Sequence, residues 1–188
     1  MSGVLVGVVG PSGAGKDTLM EAARAALAGD PRVTFLRRAV TRPAEAGGED
    51  HLPLSREAFL AGREAGHFAL WWEAHGLLYG IPAGPLEAAL AKGCAAVANL
   101  SRRALADADA RFPLRVVEIT ASPDVLATRL AARGRESAED IARRLAREAP
   151  LPAGLAVDRV VNDTSVEAGA GQLLRALRAA IPVTASVA

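Results

Sequence analysis

The sequence predicts an α/β fold in which helices flank a mainly parallel sheet. The first observation is a short apolar run at Val4–Val9, followed by a glycine-rich loop and a helical pattern. The second is the alternation of further apolar runs with helical patterns along the rest of the chain. This alternation is typical of parallel sheets, because a crossover between parallel neighbours has room for a helix. The 188 residues predict one domain over 1–181, with a frayed tail at 182–188.

Each element follows from apolar spacing and from the turn signals between elements. Strands are expected at 4–9, 95–99, 115–120 and 157–161, with a short strand and turn at 32–39 and a strand–turn mixture at 68–79. Helices are expected at 16–29, 55–65, 85–93, 101–110, 122–134, from 137 and from 164, bounded by serine or threonine caps, first-turn prolines and glycine stops. Residues 41–53 are rich in proline, glycine and acidic residues and are expected to form a loop.

The composition limits the classes of partner. The formal net charge is +1, so the chain as a whole has no electrostatic preference for nucleic acid or an anionic membrane. The lone Cys94 excludes an internal disulfide and fits a reducing, cytoplasmic setting. The apolar start lacks a basic flank and is too short to span a bilayer. We therefore expect a cytoplasmic protein, monomeric or homodimeric, with a small-molecule partner.

The glycine-rich loop predicts nucleoside triphosphate binding. Its spacing matches the phosphate-binding pattern G-x-x-x-x-G-K, in which backbone N–H groups surround the phosphates and the lysine reaches the β- and γ-phosphates. The predicted ATP-binding residues are Gly10, Pro11, Ser12, Gly13, Ala14, Gly15, Lys16, Asp17 and Thr18. An ordinary glycine-rich turn is the alternative, but the flanking strand and helix favour the phosphate loop.

Asp17 departs from this pattern, which has a serine or threonine after the lysine. That hydroxyl usually helps to hold Mg²⁺, and a carboxylate is also a good ligand for this hard cation. Asp17 and Thr18 are therefore the candidate metal residues, with Thr18 also expected near the α-phosphate. In the alternative, Asp17 caps the first helix.

An arginine cluster at about 129–147 predicts a mobile lid over ATP. Arg129 and Arg133 are four residues apart and share a helix face. The remaining arginines of the cluster are Arg135, Arg143, Arg144 and Arg147. Guanidinium groups neutralise charge on a transferring phosphoryl group, so Arg133 and Arg144 join Lys16 as predicted catalytic residues, with Arg129 on the nucleotide. The alternative is a solvated, arginine-rich helix surface.

The stretch at about 38–82 is expected to be an insertion that binds the phosphoryl acceptor. Arg38 and Arg42 lie near His51 and Tyr79 in this prediction, and such groups suit a phosphorylated molecule. The other histidines, and the two tryptophans, are interpreted as surface or packing residues. Three histidines at these spacings form no zinc site.

These motifs resemble the guanylate kinase family over nearly the whole chain. The phosphate loop, Thr41-Arg42, the Gly48-Glu49-Asp50-His51 stretch and Tyr79-Gly80 carry the likeness, with the arginine lid. Val161-Asn162-Asp163 is similar to the family's segment that packs on adenine, which implies that Asn162 contacts the nucleotide. The resemblance implies a P-loop kinase fold that uses ATP and Mg²⁺.

The acceptor side departs from guanylate kinases. Leu70 stands where a glutamate would read guanine, His51 where a tyrosine would hold phosphate, and Arg38 where a serine would fix the base. A site that loses hydrogen-bonding groups to a base loses discrimination for it. With Gly-Lys-Asp and Tyr79-Gly80-Ile81-Pro82, the pattern is similar to the ribose 1,5-bisphosphate phosphokinases, which make phosphoribosyl pyrophosphate in phosphonate breakdown.

That resemblance implies phosphoryl transfer from ATP to a sugar bisphosphate. The acceptor oxygen is already anionic, so positioning and charge neutralisation suffice without a general base. Two alternatives stay open: a nucleoside monophosphate kinase, and a non-catalytic module that binds phosphopeptides.

Overall fold

The structure, a computed structural model, describes residues 3–44, 49–132 and 150–182. Its strands are β1 Val4–Val9, β2 Val33–Phe35, β3 Ala39–Val40, β4 Leu52–Pro53, β5 Phe68–Ala74, β6 Leu77–Pro82, β7 Ala95–Asn99, β8 Leu114–Thr120 and β9 Val157–Val161. Its α-helices are α1 Lys16–Ala26, α2 Arg56–Glu64, α3 Ala83–Ala91, α4 Leu105–Arg111, α5 Pro123–Ala132 and α6 Val166–Ala180. A 3₁₀ turn at Arg102–Ala104 precedes α4.

The main sheet has five strands in the order β2-β7-β1-β8-β9. Every neighbouring pair in it is parallel, so the prediction of a parallel sheet is confirmed. The carboxyl ends of β1, β7 and β8 therefore lie at the same edge. In open α/β sheets this edge is where ligands bind.

The predicted insertion builds a second, smaller sheet. Its order is β4-β3-β6-β5, with β5 and β6 forming an antiparallel hairpin and β3 pairing antiparallel with β6. β4 runs parallel to β3, so the expected loop at 41–53 contains a two-residue strand at its end. The strand–turn mixture predicted at 68–79 is this hairpin.

The core lies on both faces of the main sheet. Successive side chains of β1 point to opposite faces, so Val6 and Val8 pack with Leu19 and Leu173 from α1 and α6. Leu5 packs on the other face, in the cluster that holds the side chains of α3 and α4. Burial on both faces explains why β1 is a continuous apolar run without polar alternation.

Several element boundaries differ from the prediction. Helix α3 begins at Ala83 rather than Pro85, because Pro82 already occupies the N-cap position. The helix expected at 101–110 opens with the 3₁₀ turn, in which Ser101 caps the backbone of Arg103. The helix expected from 137 lies outside the described residues. Within the three described ranges, no helix is long and apolar enough to cross a membrane.

Candidate functional site

The phosphate loop joins β1 to α1 and is shaped by glycines with positive φ. Gly10, Gly13 and Gly15 have φ of 150°, 87° and 85°, a region that residues with a Cβ rarely enter. A Cβ on Gly10 would collide with the Ile119 carbonyl oxygen of β8. Gly15 is the N-cap of α1, so the loop ends at a helix N-terminus, where orphan N–H groups favour an anion.

Lys16 is the first residue of α1 and turns back over this loop. Its Nζ donates to the carbonyl oxygen of Gly10 at 2.6 Å and to that of Pro11 at 3.0 Å. The ammonium group therefore lies across the loop that the sequence assigns to phosphate. The spacing of six residues between Gly10 and Lys16 produces this geometry directly.

Asn162 supports the loop from β9. It is 4% exposed, and its Nδ2 donates to the carbonyl oxygen of Ala14 at 2.8 Å. A Cβ on Gly15 would lie 2.5 Å from the same Nδ2. The side chain that the resemblance assigns to adenine is thus buried against the loop backbone, and a contact with adenine stays a prediction.

Asp17 is the second residue of α1, and its exposed carboxylate accepts from Asn99 rather than capping the helix. The distance from Asn99 Nδ2 to Asp17 Oδ1 is 3.3 Å, and the N-cap residue Gly15 has no side-chain cap. Thr18 follows on the exposed side of the same turn. Among the described residues, no group of three or more His, Cys, Asp or Glu side chains could enclose a metal ion. Asp17 still fits Mg²⁺, because this ion usually takes one or two carboxylates together with phosphates and water.

Arg38 lies at the start of the insertion and is held from two sides. Its Nε and Nη2 each lie 2.5 Å from Glu49 Oε1, in a pair that is mostly buried. Its guanidinium carbon lies 5.0 Å from the centre of the Tyr79 ring, which stacks on Trp72. A guanidinium has five N–H donors, so Arg38 keeps donors for an anionic acceptor. The structure thus brings Arg38 and Tyr79 together, and their contact with an acceptor stays a prediction.

Arg42 and His51 close the loop that precedes β4. His51 is 4% exposed, with Nε2 3.1 Å from the Arg42 carbonyl oxygen and Nδ1 3.0 Å from that of Glu49. Its ring therefore ties the backbone of Arg42 to that of Glu49, and direct contact with an acceptor stays a prediction. Arg42 Nε is buried with no hydrogen-bond partner among the described residues, and Arg42 lines a groove of about 580 Å³ with Arg56.

Arg129 lies on α5, which packs against the phosphate loop through Leu130 beside Gly13. Its Nη1 is buried with no hydrogen-bond partner in the described part of the chain, and a contact with the nucleotide stays a prediction. The other lid residues, including the predicted catalytic Arg133 and Arg144, lie outside the described residues.

Sequence reasoning missed a buried carboxylate near the site. Glu118 is 8% exposed in β8, where its two oxygens accept from Arg102 and Arg159 at 3.0 Å each. A glutamate inside the apolar run 116–119 was the available signal. Leu70, by contrast, is 1% exposed within the core cluster under the insertion, so this position presents no base-reading group.

Comparisons with known proteins place these features in a family, although no family model matches the chain. The chain is 58% identical over 146 residues to the ribose 1,5-bisphosphate phosphokinase PhnN of Rhizobium etli, covering 77% of this chain and 74% of the relative. It is 52% identical over 169 residues to the protein of that name from Brucella melitensis, covering 89% and 87%. It is 49% identical over 180 residues to the one from Methylobacterium radiotolerans, covering 95% and 99%.

Among solved structures, a crystal structure of guanylate kinase from Anaplasma phagocytophilum matches with a TM-score of 0.70. The two chains share 21% sequence identity, and the match covers 97% of this chain and 88% of the other, which shows a shared fold. Because the sequence identity to the first relatives is far higher and extends over most of both chains, this chain belongs to the ribose 1,5-bisphosphate phosphokinase PhnN family.

Proposed function

We propose that the chain catalyses transfer of the γ-phosphoryl group of ATP to ribose 1,5-bisphosphate, which gives 5-phosphoribosyl 1-pyrophosphate and ADP. The observation that carries this proposal is the high identity to the PhnN relatives, combined with the contacts of Asn99 to both Asp17 beside the phosphate loop and Glu49 of the arginine-bearing insertion. The chain is a kinase by family, and the acceptor is the finer part of the proposal.

On the donor side, the N–H groups of the loop and the helix N-terminus bind the triphosphate. The ammonium group of Lys16 is expected to leave the carbonyl oxygens of the loop and neutralise the β- and γ-phosphates. Asp17 and Thr18 would hold Mg²⁺, which supplies further charge neutralisation when bound. Arg129, with Arg133 and Arg144 of the lid, is proposed to contact the transferring group.

On the acceptor side, Arg38 and Arg42 bind phosphate groups, with Tyr79 and His51 completing the site. A phosphate oxygen of the sugar attacks the γ-phosphorus while the bond to ADP breaks. No general base is needed because this oxygen carries no proton to remove near neutral pH, so catalysis rests on alignment and on neutralised charge. The buried, apolar Leu70 is consistent with an acceptor that has no base to be read.

The experiment incubates the protein with ATP and Mg²⁺ together with either ribose 1,5-bisphosphate or GMP, and measures ADP. We expect ADP only with the sugar bisphosphate. Lys16→Ala is the matched control, and it should abolish both turnover and ATP binding. Turnover with GMP and none with ribose 1,5-bisphosphate would contradict the proposal.

A further inference from the structure

We propose that Asn99 is a positioning residue that ties the phosphate loop to the acceptor insertion by donating one amide hydrogen to each of two carboxylates. Its Nδ2 lies 2.6 Å from Glu49 Oε2 and 3.3 Å from Asp17 Oδ1. A primary amide has two N–H donors, so both are directed at carboxylates. The proposal rests on the proposed function for the roles of the two half-sites.

The main sheet holds Asn99 at this junction. It is the last residue of β7, it pairs with Val8 of β1, and it is 5% exposed. Its backbone is therefore fixed where the phosphate loop begins. The two residues that it binds lie far from it in sequence, one on α1 and the other at the end of the insertion's loop.

A hydrogen-bond donor suits this position better than an acceptor. Two carboxylates that approach the same side chain repel each other, and a hydrogen bond donated to each of them offsets that repulsion. An aspartate at position 99 would have the same shape and would add a third acceptor where two are already present. The side chain of Asn99 is therefore matched to Asp17, the residue that departs from the usual phosphate loop.

The junction continues to the acceptor side through Glu49. One oxygen of this carboxylate accepts from Asn99 and the other accepts from Arg38 at 2.5 Å. Arg38 in turn lies over Tyr79. An unbroken series of contacts thus leads from the donor loop to the residues proposed to bind the sugar bisphosphate, and Asn99 is its central member.

The test reverses the hydrogen bond between positions 99 and 49. Asn99→Asp removes the donor, and Glu49→Gln supplies one from the opposite side while its amide oxygen still accepts from Arg38. We expect each single variant to weaken binding of ribose 1,5-bisphosphate, measured by calorimetry without ATP, by about tenfold, as for loss of a hydrogen bond to a charged group. The double variant restores the bond between positions 99 and 49 but leaves an aspartate at position 99 facing Asp17, so it should recover part of the lost affinity and bind more tightly than Asn99→Asp alone.

The control is Asn162→Asp, a second buried asparagine beside the loop whose partner is a backbone carbonyl. Glu49→Gln should not rescue this variant. The proposal would be overturned if Glu49→Gln rescued both asparagine variants. It would also be overturned if Glu49→Gln failed to rescue Asn99→Asp. If Asn99→Asp alone does not fold, the double variant must still fold and bind ribose 1,5-bisphosphate. Failure of the double variant to do so would also overturn the proposal.

Thermal unfolding of the ligand-free proteins separates this inference from the proposed function. Asn99→Asp should lower the midpoint, and adding Glu49→Gln should raise it part of the way back, whether or not the wild type binds ribose 1,5-bisphosphate. If the wild type does not bind ribose 1,5-bisphosphate but the unfolding midpoints change as expected, only the assigned acceptor is refuted. Equal unfolding midpoints for the wild type and all variants would refute the hydrogen bonds proposed for Asn99.

Discussion

Replacing Gly15 by alanine introduces two separate strains into the phosphate loop. Gly15 has φ of 85°, so the new side chain must accept a left-handed backbone. The new Cβ would also lie 2.5 Å from Asn162 Nδ2, which is closer than such atoms can approach. Asn162 must then move from the Ala14 carbonyl oxygen that it binds at 2.8 Å.

The two strains have separate physical causes, so variants can separate their contributions. A left-handed residue with a Cβ costs about 1–2 kcal/mol, and leaving a buried carbonyl oxygen unpaired costs about 1–3 kcal/mol more. Gly15→Ala should therefore lower the free energy of unfolding by about 2–5 kcal/mol. Gly29 is a matched control, because its φ is 89° and a Cβ there would meet nothing within 4 Å. Gly29→Ala should lower the free energy of unfolding by only about 1–2 kcal/mol.

Urea denaturation followed by circular dichroism measures both variants. In an Asn162→Ala background, the added cost of Gly15→Ala should fall to that of Gly29→Ala, because the colliding group is absent. Binding of an ATP analogue should weaken in Gly15→Ala and stay unchanged in Gly29→Ala. Equal costs for the two alanine variants in the wild-type background would refute the argument that Asn162 and Gly15 are packed against each other.

Three further predictions concern buried and exposed charges. Leu70→Glu should not create GMP kinase activity, and it should lower the free energy of unfolding by about 3 kcal/mol, because Leu70 is buried in the core. A stable variant that phosphorylates GMP would contradict this prediction. Glu118→Gln should lower the free energy of unfolding by about 1–2 kcal/mol, because it removes the negative charge that pairs with two arginines. A melting temperature equal to that of the wild type would contradict this prediction. The side-chain hydrogen bond from Arg32 lowers the pKa of Asp30 from 3.8 to about 2, so Asp30 stabilises the fold above pH 3.8 and this contribution is lost as pH falls through 2. Asp30→Asn should flatten the pH dependence of the melting temperature in that window, and an unchanged slope would count against the ion pair.

Much of the donor side was predictable because its signals are local. The loop 10–16 and its flanking strand and helix are contiguous, so their geometry follows from residue types at fixed spacing.

Helix starts elsewhere in the chain were predicted with mixed success. The cap Ser55 predicted the start of α2, where its Oγ accepts from Ala58 N. The start of α3 was misplaced because Pro82, and not only Pro85, is compatible with a helix start.

The residues assigned to the acceptor side stay a prediction, and the contacts that they make could not be predicted from the sequence. His51 was expected to face the acceptor, yet its ring nitrogens lie against backbone carbonyl oxygens. The contact between Glu49 and Asn99 was not predicted, because nothing near either residue in sequence indicates its partner. Glu118 was missed since a single glutamate in a strand does not predict two arginines from other elements.

The sequence by itself determined the α/β class, the phosphate loop and the family resemblance, because each depends on short patterns read along the chain. Only the tertiary structure decided that Asp17, Asn99 and Glu49 meet, over separations of 82 and 50 residues. The physical reason is the parallel sheet, which brings the carboxyl ends of β1 and β7 to one edge. The insertion then folds back so that one buried amide can bind a carboxylate from each side.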